Sequence, residues 1–209
     1  GDPDRGRPAG RRSPARVGDR AEPSQGGAGV AQALSDYIDA QGFHYDYIVA
    51  TQDWHPASHK SFASNHEGKE VFETIDLNGL EQKLWPDHCV QNTFGAELHS
   101  DLNAGSIEAI FRKGMDPEID SYSGFYDNGH KKTTGLAGYL REKGAKDLYF
   151  CGLAADICVY FSLVDALNDG FSASIIEDAS RALDVEGFGK LKEDIREKGG
   201  KVITTDKLR

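Results

Sequence analysis

Asp147-Leu148-Tyr149-Phe150-Cys151-Gly152-Leu153-Ala154-Ala155-Asp156-Ile157-Cys158-Val159 joins a short apolar strand to the start of a helix. Residues 147–152 read as the strand, because their middle is aromatic and apolar and a glycine closes it. From 155 to 168 the apolar residues fall at helical spacing. A strand feeding a helix is the repeating unit of a parallel sheet. The same alternation extends in both directions. Residues 31–41 read as a helix with Val30, Leu34, Tyr37 and Ile38 on one face, and 45–51 as a strand ending at Asp53. A second strand is predicted over 107–111, and a helix over 133–143 with Gly144 as its stop. Strands over 174–177 and 202–204 flank a helix over 187–198. The pattern predicts an α/β fold, a parallel sheet covered by helices on both faces. In such sheets ligands bind beyond the carboxyl ends of the strands. Asp53, Lys113 and the segment after Cys151 each follow a strand, so one rim should hold all three.

The 209 residues suit one domain, assigned to 30–209. Residues 1–29 form an aberrant low-complexity segment, crowded with Gly, Arg, Pro and Ala and lacking any apolar strand. A parallel α/β domain usually opens with such a strand. The formal charge of -10 argues against nucleic acid or an anionic membrane as partner. No apolar run approaches the roughly 20 residues that span a bilayer. Three cysteines, Cys89, Cys151 and Cys158, are odd in number and suit a reducing cytoplasm. A homo-oligomer is compatible with this composition.

Two short motifs carry metal chemistry. Asp53-Trp54-His55-Pro56 places an acid and a histidine two apart, on one side of an extended segment. Trp85-Pro86-Asp87-His88-Cys89 offers a distant third ligand. Either half alone reads as a capped turn with ordinary histidines. Occurring together beside a nucleophile candidate, they predict a divalent metal held with positions left open. Cys158 is that candidate: in the first turn of a helix the macrodipole lowers a thiol pKa, and free N–H groups there stabilise an oxyanion. A buried small hydrophobe is the competing reading of Cys158, and by position the two are even. Cys151, inside the strand, reads as core, and Cys89 as packing. Lys113 stands at a strand end, ahead of Asp120-Ser121-Tyr122-Ser123-Gly124-Phe125, where an ammonium can hold a thiolate and assist proton transfer. A solvated surface lysine is the competing reading. Trp85, Tyr122 and Phe125 can wall a flat pocket for an aromatic ring.

Asp-Trp-His-Pro, Trp-Pro-x-His-Cys, a strand-end Lys before Tyr-Ser-Gly-Phe, and Gly-Leu-Ala-x-Asp-x-Cys-Val occur here in the order found in nicotinamidases (pyrazinamidases). The chain from about 26 to 205 thereby resembles this group of isochorismatase-like cysteine hydrolases. The resemblance implies a Rossmann-like fold and hydrolysis of nicotinamide to nicotinate and ammonia in NAD salvage. It implies Asp53, His55 and His88 as ligands of one divalent ion (zinc, manganese or iron), Cys158 as nucleophile and Lys113 as the catalytic lysine. Ala154 and Cys158 match the oxyanion donors, after a cis peptide at Leu153-Ala154. Trp85 and Tyr122 match residues lining the nicotinamide pocket. His59 and His66 are not assigned as ligands.

The resemblance also implies a third catalytic residue, an Asp ending the first strand, which takes the thiol proton and passes it to the leaving amine. No position here matches it: Asp2, Asp4 and Asp19 lack a preceding apolar strand. Back-translated and read one nucleotide later, Gly1 to Pro8 permits Ile-Leu-Ile-Val-Asp-Val-Gln, the motif expected there. The N-terminal segment therefore reads as a frameshifted nicotinamidase start.

Overall fold

The structure, a computed structural model, describes residues 45–208. The segment 1–29 and the helix predicted over 31–41 lie outside the described residues. Strand β1 (Val49–Asp53) pairs in parallel with β4 (Ala109–Lys113), Asp53 lying beside Lys113 in the register. Both strands run two residues further than expected at their carboxyl ends, because ladder pairing continues through the polar residues.

Between them stands a hairpin the sequence reading did not anticipate, β2 (Thr74–Leu77) and β3 (Leu80–Lys83), antiparallel. Asn78 and Gly79, with φ of 56° and 84°, form its two-residue turn. Both positions need positive φ, the signature of a type I′ turn, and Asn-Gly is its favoured sequence.

Helix α1 (Leu136–Glu142) stops near Gly144, whose φ of 73° suits only glycine well. β5 (Asp147–Leu153) leads into a π-helical turn (Ala155–Val159) and then α2 (Tyr160–Asn168). β6 (Ser172–Arg181), α3 (Val185–Glu197) and β7 (Lys201–Ile203) complete the chain. The Asp184 carboxylate caps α3 by accepting the Gly187 N–H at 2.9 Å.

The parallel strands form two half-sheets, β1–β4 and β5–β6–β7. One core serves both. Val49 and Phe111 from the first half pack on the same cluster as Leu148 and Phe150 of β5, around buried Phe125, Leu163, Ile175 and Ile195. Among the described residues, no strand pairs with the second edge of β1 or of β5. The Tyr45 and Tyr149 rings meet 5.6 Å apart near the starts of these strands. Along β5, Leu148 and Phe150 are more buried than Tyr149, Cys151 and Leu153. Cys151, expected in the core, is therefore exposed, because side chains alternate across a strand. Among the described residues, no helix is long and apolar enough to cross a membrane.

Candidate active site

The strand ends build the site. Because Asp53 and Lys113 are neighbours in the β1–β4 register, the Lys113 ammonium reaches Asp53 Oδ1 at 2.5 Å. The same Nζ donates to the Ser121 carbonyl at 2.7 Å and lies 3.4 Å from Cys158 Sγ. Lys113 is 4% exposed. Burial alone would pull its pKa down, but the Asp53 charge and the Cys158 sulfur raise it above the usual lysine range. Burial likewise pushes against ionised Asp53, and Lys113, His55 and His88 overcome it, holding that carboxyl below its ordinary value. Both groups are charged at neutral pH.

Beyond Asp53 the chain pairs with the Trp85–Cys89 segment: the His55 N–H donates to Cys89 O at 3.0 Å and the Gln91 N–H to His55 O at 2.8 Å. This pairing brings the His55 and His88 rings to 4.9 Å. Each Nδ1–H donates to a carbonyl at 2.8 Å, Gly114 for His55 and Pro86 for His88. Those bonds leave both Nε2 lone pairs free, the tautomer a metal ligand needs. Gly114 is required here, since a Cβ would collide with the His55 ring. Donor atoms of Asp53, His55 and His88 lie within 4.8 Å of one another. A two-nitrogen, one-oxygen set with open positions fits a divalent metal.

Cys158 sits in the π-helical turn after β5, which contains the cis Leu153–Ala154 peptide. The macrodipole argument predicts a lowered thiol pKa, and the structure reverses it. Burial outweighs the nearby Lys113 charge and pushes the Cys158 thiol up to about 11. Cys89 stands higher, pushed by burial to about 12. At neutral pH Cys158 is a thiol.

Eight of the residues singled out from the sequence, Asp53, His55, Trp85, His88, Lys113, Tyr122, Ala154 and Cys158, line one cavity of about 140 Å³, whereas Phe125, expected to wall it beside Trp85 and Tyr122, is buried in the core instead. Trp85 and Tyr122 meet edge to face at 6.1 Å, and the Trp85 indole N–H donates to Tyr122 Oη at 3.2 Å. Sequence reasoning assigned no role to Asp120, a buried carboxylate on the cavity wall, or to buried Gln82, which donates to both Asp120 Oδ2 and Tyr122 Oη at 3.2 Å. Neither stood out in the sequence, Gln82 lying between charged Glu81 and Lys83 and Asp120 two residues after Glu118.

The isochorismatase domain matches residues 48–207. The chain belongs to the isochorismatase family. Within it, the nicotinamidase of Acinetobacter baylyi is 46% identical over 157 residues, 75% of this chain and 73% of that protein. The solved nicotinamidase/pyrazinamidase of Acinetobacter baumannii is 41% identical with a TM-score of 0.80, covering 86% of this chain and 87% of its own. The pyrazinamidase of Pyrococcus horikoshii, solved in complex with zinc, is 33% identical with a TM-score of 0.68, covering 86% and 87%. With such relatives, this family member is an enzyme, an amidohydrolase.

Proposed function

We propose that the chain hydrolyses nicotinamide to nicotinate and ammonia through a thioester on Cys158, as a step of cytoplasmic pyridine-nucleotide salvage. The observation that carries this reading is Lys113 spanning Asp53 and the Cys158 sulfur inside a cavity walled by Trp85 and Tyr122. The aromatic pair suits a flat pyridine ring. Sγ bonds to the carboxamide carbon, the C–N bond breaks, and the amine takes a proton to leave as ammonia. Water then hydrolyses the thioester. Backbone N–H groups of Ala154 and Cys158 are assigned to the oxyanion. A zinc, manganese or iron ion on Asp53, His55 and His88 supplies, when bound, an anchor for the pyridine nitrogen and for a water.

A thiol with a pKa of about 11 must lose its proton as it attacks. The reading gives that task to an Asp ending a first strand, encoded in the displaced frame of residues 1–29. General acid and base assistance are each worth on the order of 10²–10⁴ in rate.

Ammonia release from nicotinamide by this chain, beside one with the strand restored, tests the proposal. The restored chain should be faster by that order, and Cys158→Ser should abolish turnover in both. If neither releases ammonia the substrate is wrong. If both do so equally, another group moves the proton. Peptide mass spectrometry confirming the unshifted frame would sink the frameshift.

A further inference from the structure

His59 is fully buried, and its Nε2 has no hydrogen-bond partner. Its other ring nitrogen decides what Nε2 can do. The Ser61 backbone N–H reaches His59 Nδ1 at 3.1 Å, and the Ser61 hydroxyl lies 2.8 Å from the same atom. A backbone amide only donates, so Nδ1 accepts and the proton sits on Nε2. This is the opposite tautomer from His55 and His88, whose Nδ1–H groups face carbonyls. Ring nitrogens of His55 and His59 and an oxygen of Asp120 lie within 4.8 Å of one another, a set that by composition alone could also hold a metal. The tautomer excludes His59 from that duty, since a protonated Nε2 has no lone pair to offer.

What remains is a fixed N–H donor in a buried polar corner, on a ring beside the Asp120 carboxylate but without a direct bond to it. The turn that carries His59 is held firmly: its N–H donates to Pro56 O at 2.9 Å, and its carbonyl accepts from Phe62 N–H at 3.1 Å and Asn65 Nδ2 at 2.9 Å. Asp120 is 3% exposed and equally fixed, Oδ1 accepting the Ser121 N–H at 2.7 Å and Oδ2 the Gln82 amide at 3.2 Å. A carboxylate offers about four acceptor sites, so Asp120 has two to spare. One water, making hydrogen bonds of about 2.8 Å to each side, spans a gap of this size. A buried N–H without a partner is costly, and a bridging water relieves it.

We infer that His59 Nε2–H and the Asp120 carboxylate hold a water at the edge of the Asp53, His55 and His88 cluster, and that this water discharges the Cys158 thioester. The inference rests on the thioester reading given above. Asp120 and Cys158 line the same cavity. The water oxygen bonds to the acyl carbon and the C–S bond breaks with its electron pair on Sγ. One water proton ends on Sγ, and the carboxylic acid product ionises. His59 is thus a positioning residue, donating to the water and orienting its lone pair.

The test loads the full chain with p-nitrophenyl nicotinate. This activated ester acylates a thiol with loss of p-nitrophenolate and needs no acid for its leaving group. Mass spectrometry then follows the nicotinoyl adduct on the Cys158 peptide. In His59→Phe the adduct should outlive that of the unaltered chain by on the order of 10²-fold, the effect of a misplaced reactant. His59→Gln, whose amide can place an N–H near Nε2, should restore most of the rate. Discharge by added hydroxylamine, which brings its own nucleophile, should be equal in all three proteins, as should bound metal. An unchanged lifetime in His59→Phe overturns the inference. Hydroxylamine discharge slowed to the same degree overturns it too, by revealing a merely structural role, and loss of metal would make His59 a ligand instead. Absence of any Cys158 adduct on both the unaltered chain and the chain with its first strand restored defeats the thioester reading and the water's role with it. Independently of catalysis, ¹⁵N NMR of the His59 ring should report the Nε2–H tautomer, and an Nδ1–H ring refutes the geometry on which the inference stands.

Discussion

Replacing Lys113 by Met removes the cation that Asp53 faces at 2.5 Å and keeps most of the side-chain volume. At that distance and an effective dielectric near 20, the pair attracts by roughly 6–7 kcal/mol before desolvation is counted. Desolvation offsets several kcal/mol for each ion, so the net worth of the intact pair is small. Breaking it is another matter, because Lys113→Met leaves a carboxylate at a site only 20% exposed. Such losses run to about 3–5 kcal/mol. Urea denaturation of the chelator-treated chain at pH 7 should show that deficit, and Asp53→Asn combined with Lys113→Met should recover most of it. The pH dependence has a definite sign. In the unaltered chain the Asp53 pKa is depressed, so its contribution is present above the unfolded value of 3.8 and is lost as pH falls through the folded one. In Lys113→Met burial dominates and raises that pKa, so the variant gains relative stability on acidification. The gap between the two proteins should therefore narrow below pH 5 or so, where the variant's Asp53 takes up its proton. A deficit under about 1 kcal/mol, or a double variant no better than the single, would show that the two charges are not coupled as the distances require.

His55→Ala or His88→Ala should strip most bound metal, and unchanged content by elemental analysis would remove these residues from the ligand set. Alkylation of Cys158 should accelerate with pH towards about 11, and nicotinamide should protect Cys158 but not exposed Cys151; a flat pH profile or equal protection contradicts the cavity. Tyr122→Phe deprives the Trp85 and Gln82 N–H groups of a shared acceptor, so kcat/KM should fall by a factor matching about 1–3 kcal/mol, mostly through KM. An unaltered KM would place the pyridine elsewhere.

The β/α alternation was legible because its units carry their own signals: the aromatic strand before Gly152 and the helix closed by Gly144. Strand ends were less legible. β6 extends to Arg181, well past the predicted 177, because its partner does not stop: two steps along β5, Phe150 to Gly152, face five along β6, Ile175 to Ser180. Such irregularities bend a strand beside a functional site and leave no mark on hydrophobic periodicity. The β2–β3 hairpin had its turn in plain view at Asn78-Gly79. Its strands mix charged and apolar residues, however, and alternate too briefly to stand out. The candidate ligand residues were readable from spacing, whereas the tautomers that separate His55 and His88 from His59 are set by Gly114, Pro86 and Ser61, groups whose approach only the fold decides.

Cys158 marks the deeper limit of reading chemistry from position. A cysteine at a helix entry suggests a thiolate, and the π-helical turn around it does run on into α2, but a helix dipole is worth little against burial of the whole group. Burial acts on the whole thiol, and even Lys113 at 3.4 Å does not reverse it. A resting thiol changes the status of the acid–base residue. A preformed thiolate could attack unaided and need help only for the leaving amine. A thiol with a pKa of about 11 needs a group to receive its proton as well, so one acceptor serves both halves of the reaction. Asp53 is engaged by Lys113 and belongs to the candidate metal-ligand set, and Asp120 is tied to Ser121 and Gln82. On the proposed reading that duty falls to the carboxylate encoded in the displaced frame of residues 1–29, a position outside the described residues.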